Sequence, residues 1–260
     1  MATYKARGYK APKPTEEKEE VIEDVNVDEK DSTTAGVFNT LDETASKTEE
    51  WVAKNQKIIL TILSAVALIT VGYLLYERFV VTPRENDAAE QLFTAQQNFQ
   101  KAVDGDVKAD SLFALSLNGS EGKFGFLAIA DEYSGTDSGN LAHYYAGVAL
   151  LNTGKYAEAV EHLSQFSSDD VFLSVLAVGA TGDALAQQNK LEDALAKYMQ
   201  AAEMNANEFT TPRFLMKAGQ TALALGKKDE ALKHFTQIKE KYETSQEGAA
   251  VDAMIGLSAK

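Results

Sequence analysis

Three stretches decide the fold: AGVALLNTGKYAEAVEHL (residues 146–163), TGDALAQQNKLEDALAKY (181–198) and AGQTALALGKKDEALKHF (218–235). Each holds a glycine (Gly147, Gly182, Gly219), an alanine twelve places on (Ala159, Ala194, Ala231) and a large apolar residue four places after that (Leu163, Tyr198, Phe235). Small residues let two helix backbones cross closely, and the large residue is expected to fill the gap to the next hairpin. Gly154, Asn189 and Gly226 fall where the first helix of each unit must end, which suits a left-handed C-cap. Thr211 and Pro212 read as a helix start, N-cap then first turn.

The glycines are 35 and then 37 residues apart, close to the roughly 34-residue period of a helix–turn–helix solenoid. In skeleton and period the segment resembles the tetratricopeptide repeat, with units near residues 140–173, 175–208 and 212–245. A longer echo pairs Phe126 with Phe235, Ile129 with Ile238, Tyr133 with Tyr242, Gly139 with Gly248 and Gly147 with Gly256, all 109 residues apart. That distance is about three repeats, so residues 249–260 are expected to form a lone capping helix. Residues 107–133 read as a degenerate hairpin whose turn is marked by Asn118, Gly119, Ser120 and Gly122.

Residues 58–76, IILTILSAVALITVGYLLY, carry no charge. Nineteen residues span about 28 Å as a helix, one hydrocarbon core, and no polar face is visible. Residues 57–81 therefore read as an uncleaved transmembrane signal anchor. Near it, Lys47, Lys54 and Lys57 on the N-terminal side face Arg78 and Arg84 beyond, which leans towards a cytoplasmic N-terminus. Beyond the anchor, Thr82, Pro83 and Glu85 read as a helix start with a capping box. The helix that follows has Ala88, Ala89, Leu92, Phe93, Gln96 and Phe99 largely on one face, so residues 82–260 read as one repeat domain.

The net charge is −14 and there is no Cys, which excludes disulfides, redox pairs and thiolate metal sites. An acidic solenoid repels nucleic acid. Residues 1–36 read as a disordered tail, basic at its tip and acidic from Glu16 to Asp31. Two readings of the tip stand, contact with ribosomal RNA or anionic lipid, and a plain solubilising tail. Residues 37–56 read as an amphipathic juxtamembrane helix on Phe38, Leu41, Ala45, Thr48 and Val52; it either packs on a partner or the bilayer, or simply extends the anchor.

The fold class expected is all-α: a disordered tail, a single transmembrane helix and a tetratricopeptide-repeat solenoid. No constellation argues for catalysis. His143, His162 and His234 read as packing residues on repeat helices, and the Ser134–Asn140 segment lacks the Lys-Ser/Thr of a phosphate loop. A non-enzyme with no catalytic, metal or cofactor residue is expected.

This layout, one N-terminal anchor followed by repeats, resembles the YfgM-type ancillary subunits of the SecYEG translocon, over about residues 50–260. The resemblance implies a bacterial inner-membrane protein with periplasmic repeats, whose partners are SecYEG, a PpiD-like periplasmic chaperone and client polypeptides crossing or folding nearby. The repeat register places Leu141, Tyr144, Val148 and Asn152, then Leu176, Asp183 and Gln187, then Arg213, Met216, Gln220 and Leu223 along a protein-binding groove. Two roles stand for the apolar members, lining the groove for extended chains or filling the superhelix interior. A scaffold for another envelope complex, or a cytoplasm-facing scaffold if the topology is inverted, are the alternatives.

Overall fold

The computed structural model describes residues 33–105 and 108–259, which form eleven α-helices and one short π-helical stretch. Of the tail expected over residues 1–36, residues 1–32 lie outside the described residues, as does the ribosome or lipid contact of its basic tip, while residues 33–36 are corrected to the first turn of a helix. The chain divides into two compact units, Met1–Ile69 and Thr70–Lys260.

The described part of the first unit belongs to α1 (Thr33–Tyr76), an unbroken helix of 44 residues. The stretch at residues 37–56 is continuous with the apolar run in this one helix. From Ile58 onward the large apolar side chains stand in the open, Leu68 at 74% and Ile69 at 72% exposure. The Thr61 hydroxyl donates to the Lys57 carbonyl at 2.7 Å, which hides its polarity inside the helix. Among the described residues this is the one helix long and apolar enough to cross a membrane.

In the second unit, α1 does not stop before Thr82. A π-helical turn, Glu77–Val81, carries the backbone straight into α2 (Thr82–Val103). Thr82 is itself helical, its N–H reaches back five residues to the Glu77 carbonyl, and no side chain caps it. The expected helix start is therefore corrected. Pro83 has no N–H and its ring crowds the carbonyl four residues back; one wider turn placed just ahead of it accommodates both.

Glu85 caps a different helix. After α3 (Ala109–Asn118) and α4 (Phe126–Glu132), α5 (Asp137–Asn152) begins with the N–H groups of Asp137 and Ser138 donating to the Glu85 carboxylate at 2.7 and 2.9 Å. Arg84 donates to the Glu132 carbonyl at the end of α4, at 2.8 Å, and the Tyr133 hydroxyl donates to Asp87 at 2.5 Å. A carboxylate at a helix N-terminus and a guanidinium at a C-terminus both complement the helix dipoles. The hydrogen bond to Asp87, with burial second, pushes the Tyr133 hydroxyl up to about 12. The turn expected at residues 118–122 does separate two helices, α3 and α4, and Gly119 and Gly122 are left-handed there, but α3 packs chiefly on α2 and α4 chiefly on α5 rather than on each other. The buried face of α2 is Ala88, Leu92, Ala95 and Ala102, with Phe99 packed beside them; Ala89 and Phe93 face outward, Phe93 at 61% exposure.

The array continues as α5 with α6 (Tyr156–Gln165), α7 (Leu173–Gln187) with α8 (Leu191–Met204), α9 (Thr210–Ala224) with α10 (Lys228–Lys241), then α11 (Gln246–Ser258). Gly154, Asn189 and Gly226 are all left-handed, and each turn closes the same way. Lys155, Lys190 and Lys227 donate N–H to the carbonyls of Leu150, Leu185 and Ala222, each five residues back, the Schellman closure. The 109-residue echo is equally physical. Thr136 accepts from Gly139 N–H and Ser245 from Gly248 N–H, at 2.9 and 3.0 Å, while Phe126, Ile129, Phe235 and Ile238 are wholly buried. At α9 the cap is Asn207, whose side-chain oxygen accepts from the N–H groups of Phe209 and Thr210 at 2.9 and 2.8 Å. The expected start at Thr211 is thereby corrected; Thr211 lies inside the first turn and takes the Asn207 N–H.

The three repeat glycines seat the large residue of their own hairpin, which corrects the expectation that it reaches the next one. A Cβ on Gly147 would lie 2.4 Å from Leu163 Cγ, on Gly182 2.7 Å from Tyr198 Cε1, and on Gly219 2.4 Å from Phe235 Cε1. Between hairpins the filler is Phe214 of α9, whose ring edge would stand 2.0 Å from a Cβ on Gly179 of α7. Gly256 of α11 has nothing within 4 Å of that position. Gly219→Ala is therefore expected to lower unfolding stability by about 1–3 kcal/mol through overpacking. Gly256→Ala should raise it by about 0.5–1 kcal/mol through helix propensity alone. Denaturant unfolding followed by circular dichroism checks both; equal effects would overturn the steric account.

Candidate protein-binding surface

The first helices touch in the order α2, α5, α7, α9, α11, and the residues expected to line a groove sit on α5, α7 and α9. Leu141, Tyr144 and Val148 are half-buried on α5, with Leu141 packed against the core. Leu176, Met216 and Leu223 are also half-buried and pack on the core of α7 to α11. Asn152, Gln187, Arg213 and Gln220 are exposed. The apolar members thus fill the superhelix with one side and face outward with the other.

Tyr144 is the centre of what the fold brings together. Its ring lies 5.5 Å from Tyr145 in an edge contact and 5.3 Å from Phe166 of the α6–α7 connection. Burial pushes its hydroxyl above the usual tyrosine range, and Arg213, two hairpins away in sequence, lies close enough for its charge to oppose the rise. Arg213 and Tyr144 therefore share one face. Tyr145 turns inward, stacked on Phe126 at 5.2 Å and edge-on to Phe99 at 5.2 Å.

Asp183 is half-buried and engages its neighbours through one carboxylate oxygen, Oδ1. It accepts from the Tyr198 hydroxyl at 2.8 Å and pairs with Lys217 Nζ at 2.5 Å, with Lys217 also 5.6 Å from the centre of the Tyr198 ring. One carboxylate thus ties α7, α8 and α9 together. Burial and Asp183 push the Tyr198 hydroxyl far above its ordinary value. Lys217 stands 34 residues after Asp183, and Lys227 stands 35 after its partner Glu192. Opposite charges one repeat apart were the signal by which both pairs could have been found in the sequence.

At the α5 end, a cleft of about 890 Å³ opens between the Ser134–Asp137 corner, His143 and the loop at Phe166–Asp169. Asn140 holds that loop with both ends of its amide, donating to the Ser167 carbonyl at 2.7 Å and accepting from its N–H at 3.1 Å. His143 and His162 meet across α5 and α6 with their Nδ1 atoms 3.1 Å apart, an encounter the sequence reading missed. Asp170 and Asn207, 37 positions apart, cap α7 and α9 alike and leave Phe172 and Phe209 exposed at the corners, at 46% and 77%.

Burial is the largest cause holding all three histidines below their ordinary value. His234 is 3% exposed, with both ring nitrogens unpaired and Glu230 4.0 Å away. A folded-state value below the unfolded one means that the unfolded chain binds protons first as pH falls. The histidines' stability contribution is thus complete above about pH 6.5 and is lost as pH drops through the depressed folded values. The unfolding midpoint should fall between about pH 7.5 and pH 5, and His234→Leu should flatten that slope; an unchanged slope would sink the assignment.

Residues 180–246, spanning the second half of α7, all of α8 to α10 and the first residue of α11, match the family model of the tetratricopeptide repeat. Comparison with curated proteins and with solved structures gives no match. The repeat match and the helical array together fit a tetratricopeptide-repeat protein.

Proposed function

We propose that this chain is a membrane-anchored, non-enzymatic scaffold that binds proteins along its first-helix face, and that it serves as an accessory, chaperone-like subunit of the Sec translocon. The observation that carries the binding role is the composition of that face. Tyr144, Val148, Leu176 and Met216 present half-buried apolar surface beside the exposed amides of Asn152, Gln187 and Gln220, with Arg213 as the expected groove's one base. Such a face suits weak capture of extended or partly folded chains, since apolar patches and amides serve many sequences and few fixed charges select among them. Three carboxylates of the array hold its helices together: Glu85 caps α5, Asp87 takes Tyr133, and Asp183 takes Tyr198 and Lys217. That supports binding over catalysis.

The translocon assignment rests on the resemblance to YfgM-type subunits. It implies SecYEG, a PpiD-like chaperone and emerging polypeptides as partners, with the N-terminus cytoplasmic and the repeats periplasmic in a bacterial inner membrane. An excess of lysines ahead of the apolar run supports this orientation.

Topology is tested with the chain's lack of native Cys. Ala196, exposed on α8, is the site for a single Ala196→Cys change; Asn189 is left-handed and would be strained. In cells with a permeabilised outer membrane, an impermeant thiol reagent should label Ala196→Cys before lysis. Labelling only after lysis would reverse the orientation and discard the translocon role.

Tyr144→Glu combined with Met216→Glu should reduce recovery of bound partner from mild detergent while leaving helicity intact. SecY should be recovered with the wild-type chain and lost with the double variant. Recovery of another envelope complex in its place would keep the scaffold and replace the partner; undiminished recovery from the double variant would remove the face.

A further inference from the structure

The contact between His143 and His162 is open to more than a shared proton. Nδ1 to Nδ1 is 3.1 Å, with ring centroids 5.1 Å apart and planes inclined by 38°. Two neutral imidazoles in this arrangement can share one proton between those atoms. If both protons sit on Nε2 instead, both Nδ1 lone pairs are free for one cation between the rings. A transition metal holds imidazole nitrogens at about 2.0–2.1 Å, and two ligands at angles between about 90° and 109° then stand roughly 2.8–3.4 Å apart. The observed separation falls inside that window, so a metal would require little movement of either helix.

The surroundings also suit a cation. Both rings are half-buried, and on α6 Glu158 and Glu161 lie close enough for their charges to act on His162. His143 opens onto the cleft at the head of α5, whose lining includes Asp137 and Asp169, so water can reach the remaining coordination positions. Among the described residues no group of three or more His, Cys, Asp or Glu could hold a metal. The protein would therefore supply two ligands and solvent the rest. Imidazole favours late first-row divalent ions, with Cu²⁺ the tightest.

We propose that His143 and His162 form a two-histidine site for a divalent first-row transition metal, with Cu²⁺ bound most tightly, that staples α5 to α6. The test uses the full chain, free of any histidine tag, in detergent micelles, titrated with Cu²⁺ and followed by electron paramagnetic resonance and thermal unfolding. Wild type should take up one Cu²⁺ with hyperfine structure from two imidazole nitrogens and unfold at a higher temperature. His143→Gln and His162→Gln should each weaken binding by at least roughly tenfold and abolish the thermal shift, while His234→Gln keeps both. Zn²⁺ should compete weakly. If one glutamine variant loses its helicity, the other decides; if both do, the two-nitrogen spectrum of the wild type decides. A wild-type spectrum without two imidazole nitrogens, or an equal loss with His234→Gln, would leave the pair as a hydrogen bond alone.

Discussion

The array depends on three contacts in which a large side chain presses on a bare Cα: Leu163 on Gly147, Tyr198 on Gly182 and Phe235 on Gly219. Without a Cβ at those positions, the second helix of each hairpin comes close enough to bury alanines on both sides, and Ala159, Ala194 and Ala231 are wholly buried there. Close approach fixes the angle inside each hairpin. The Schellman turns at Gly154, Asn189 and Gly226 then close each hairpin with the same hydrogen bond. Repetition of one local geometry is what makes a solenoid.

A second constraint sets where the array begins. Helix α2 is not a separate strut but the first member of the row, joined to α5 by the Glu85 cap and to the end of α4 by Arg84 and Asp87. An aromatic group of Phe99, Phe113, Phe126 and Tyr145, with ring separations between 5.2 and 6.0 Å, fills the space around it. Edge-to-face pairs of this kind add about 0.5–1.5 kcal/mol each beyond their buried area. Polar contacts therefore align this end and aromatic ones hold it.

What could be read in the sequence follows from range. The glycines, the turn residues and the 109-residue echo were legible because each acts within its own hairpin or recurs at a fixed spacing. Thr82 and Glu85 were misread because their capping-box pattern is local, whereas Glu85 serves N–H groups 52 and 53 residues away and Thr82 is absorbed by a π turn that Pro83 makes necessary. Asn207 was passed over in favour of Thr211, since an Asx cap and a Thr-Pro start look alike on paper. The binding face was legible as a register but not in its details. Asp183 has the right position and also pairs with Lys217, a contact that the one-repeat spacing could have given away. His143 and His162 lie one turn before the crossing glycine and one residue before Leu163, so the hairpin register alone would have brought them face to face.

The Asp183–Lys217 ion pair, spaced by one period, makes the repeats non-interchangeable. If the middle unit were followed by a second copy of itself, the position held by Lys217 would be filled by the equivalent of Ala180. Asp183 and the Tyr198 hydroxyl would then lose the ammonium that completes their group, while the equivalent of Lys190 could still replace Lys227 opposite Glu192. The array thus carries a written order of neighbours. Lengthening such a protein by copying a unit leaves a mark at each new seam, and that mark is electrostatic, since the glycine seats of the copy would still close.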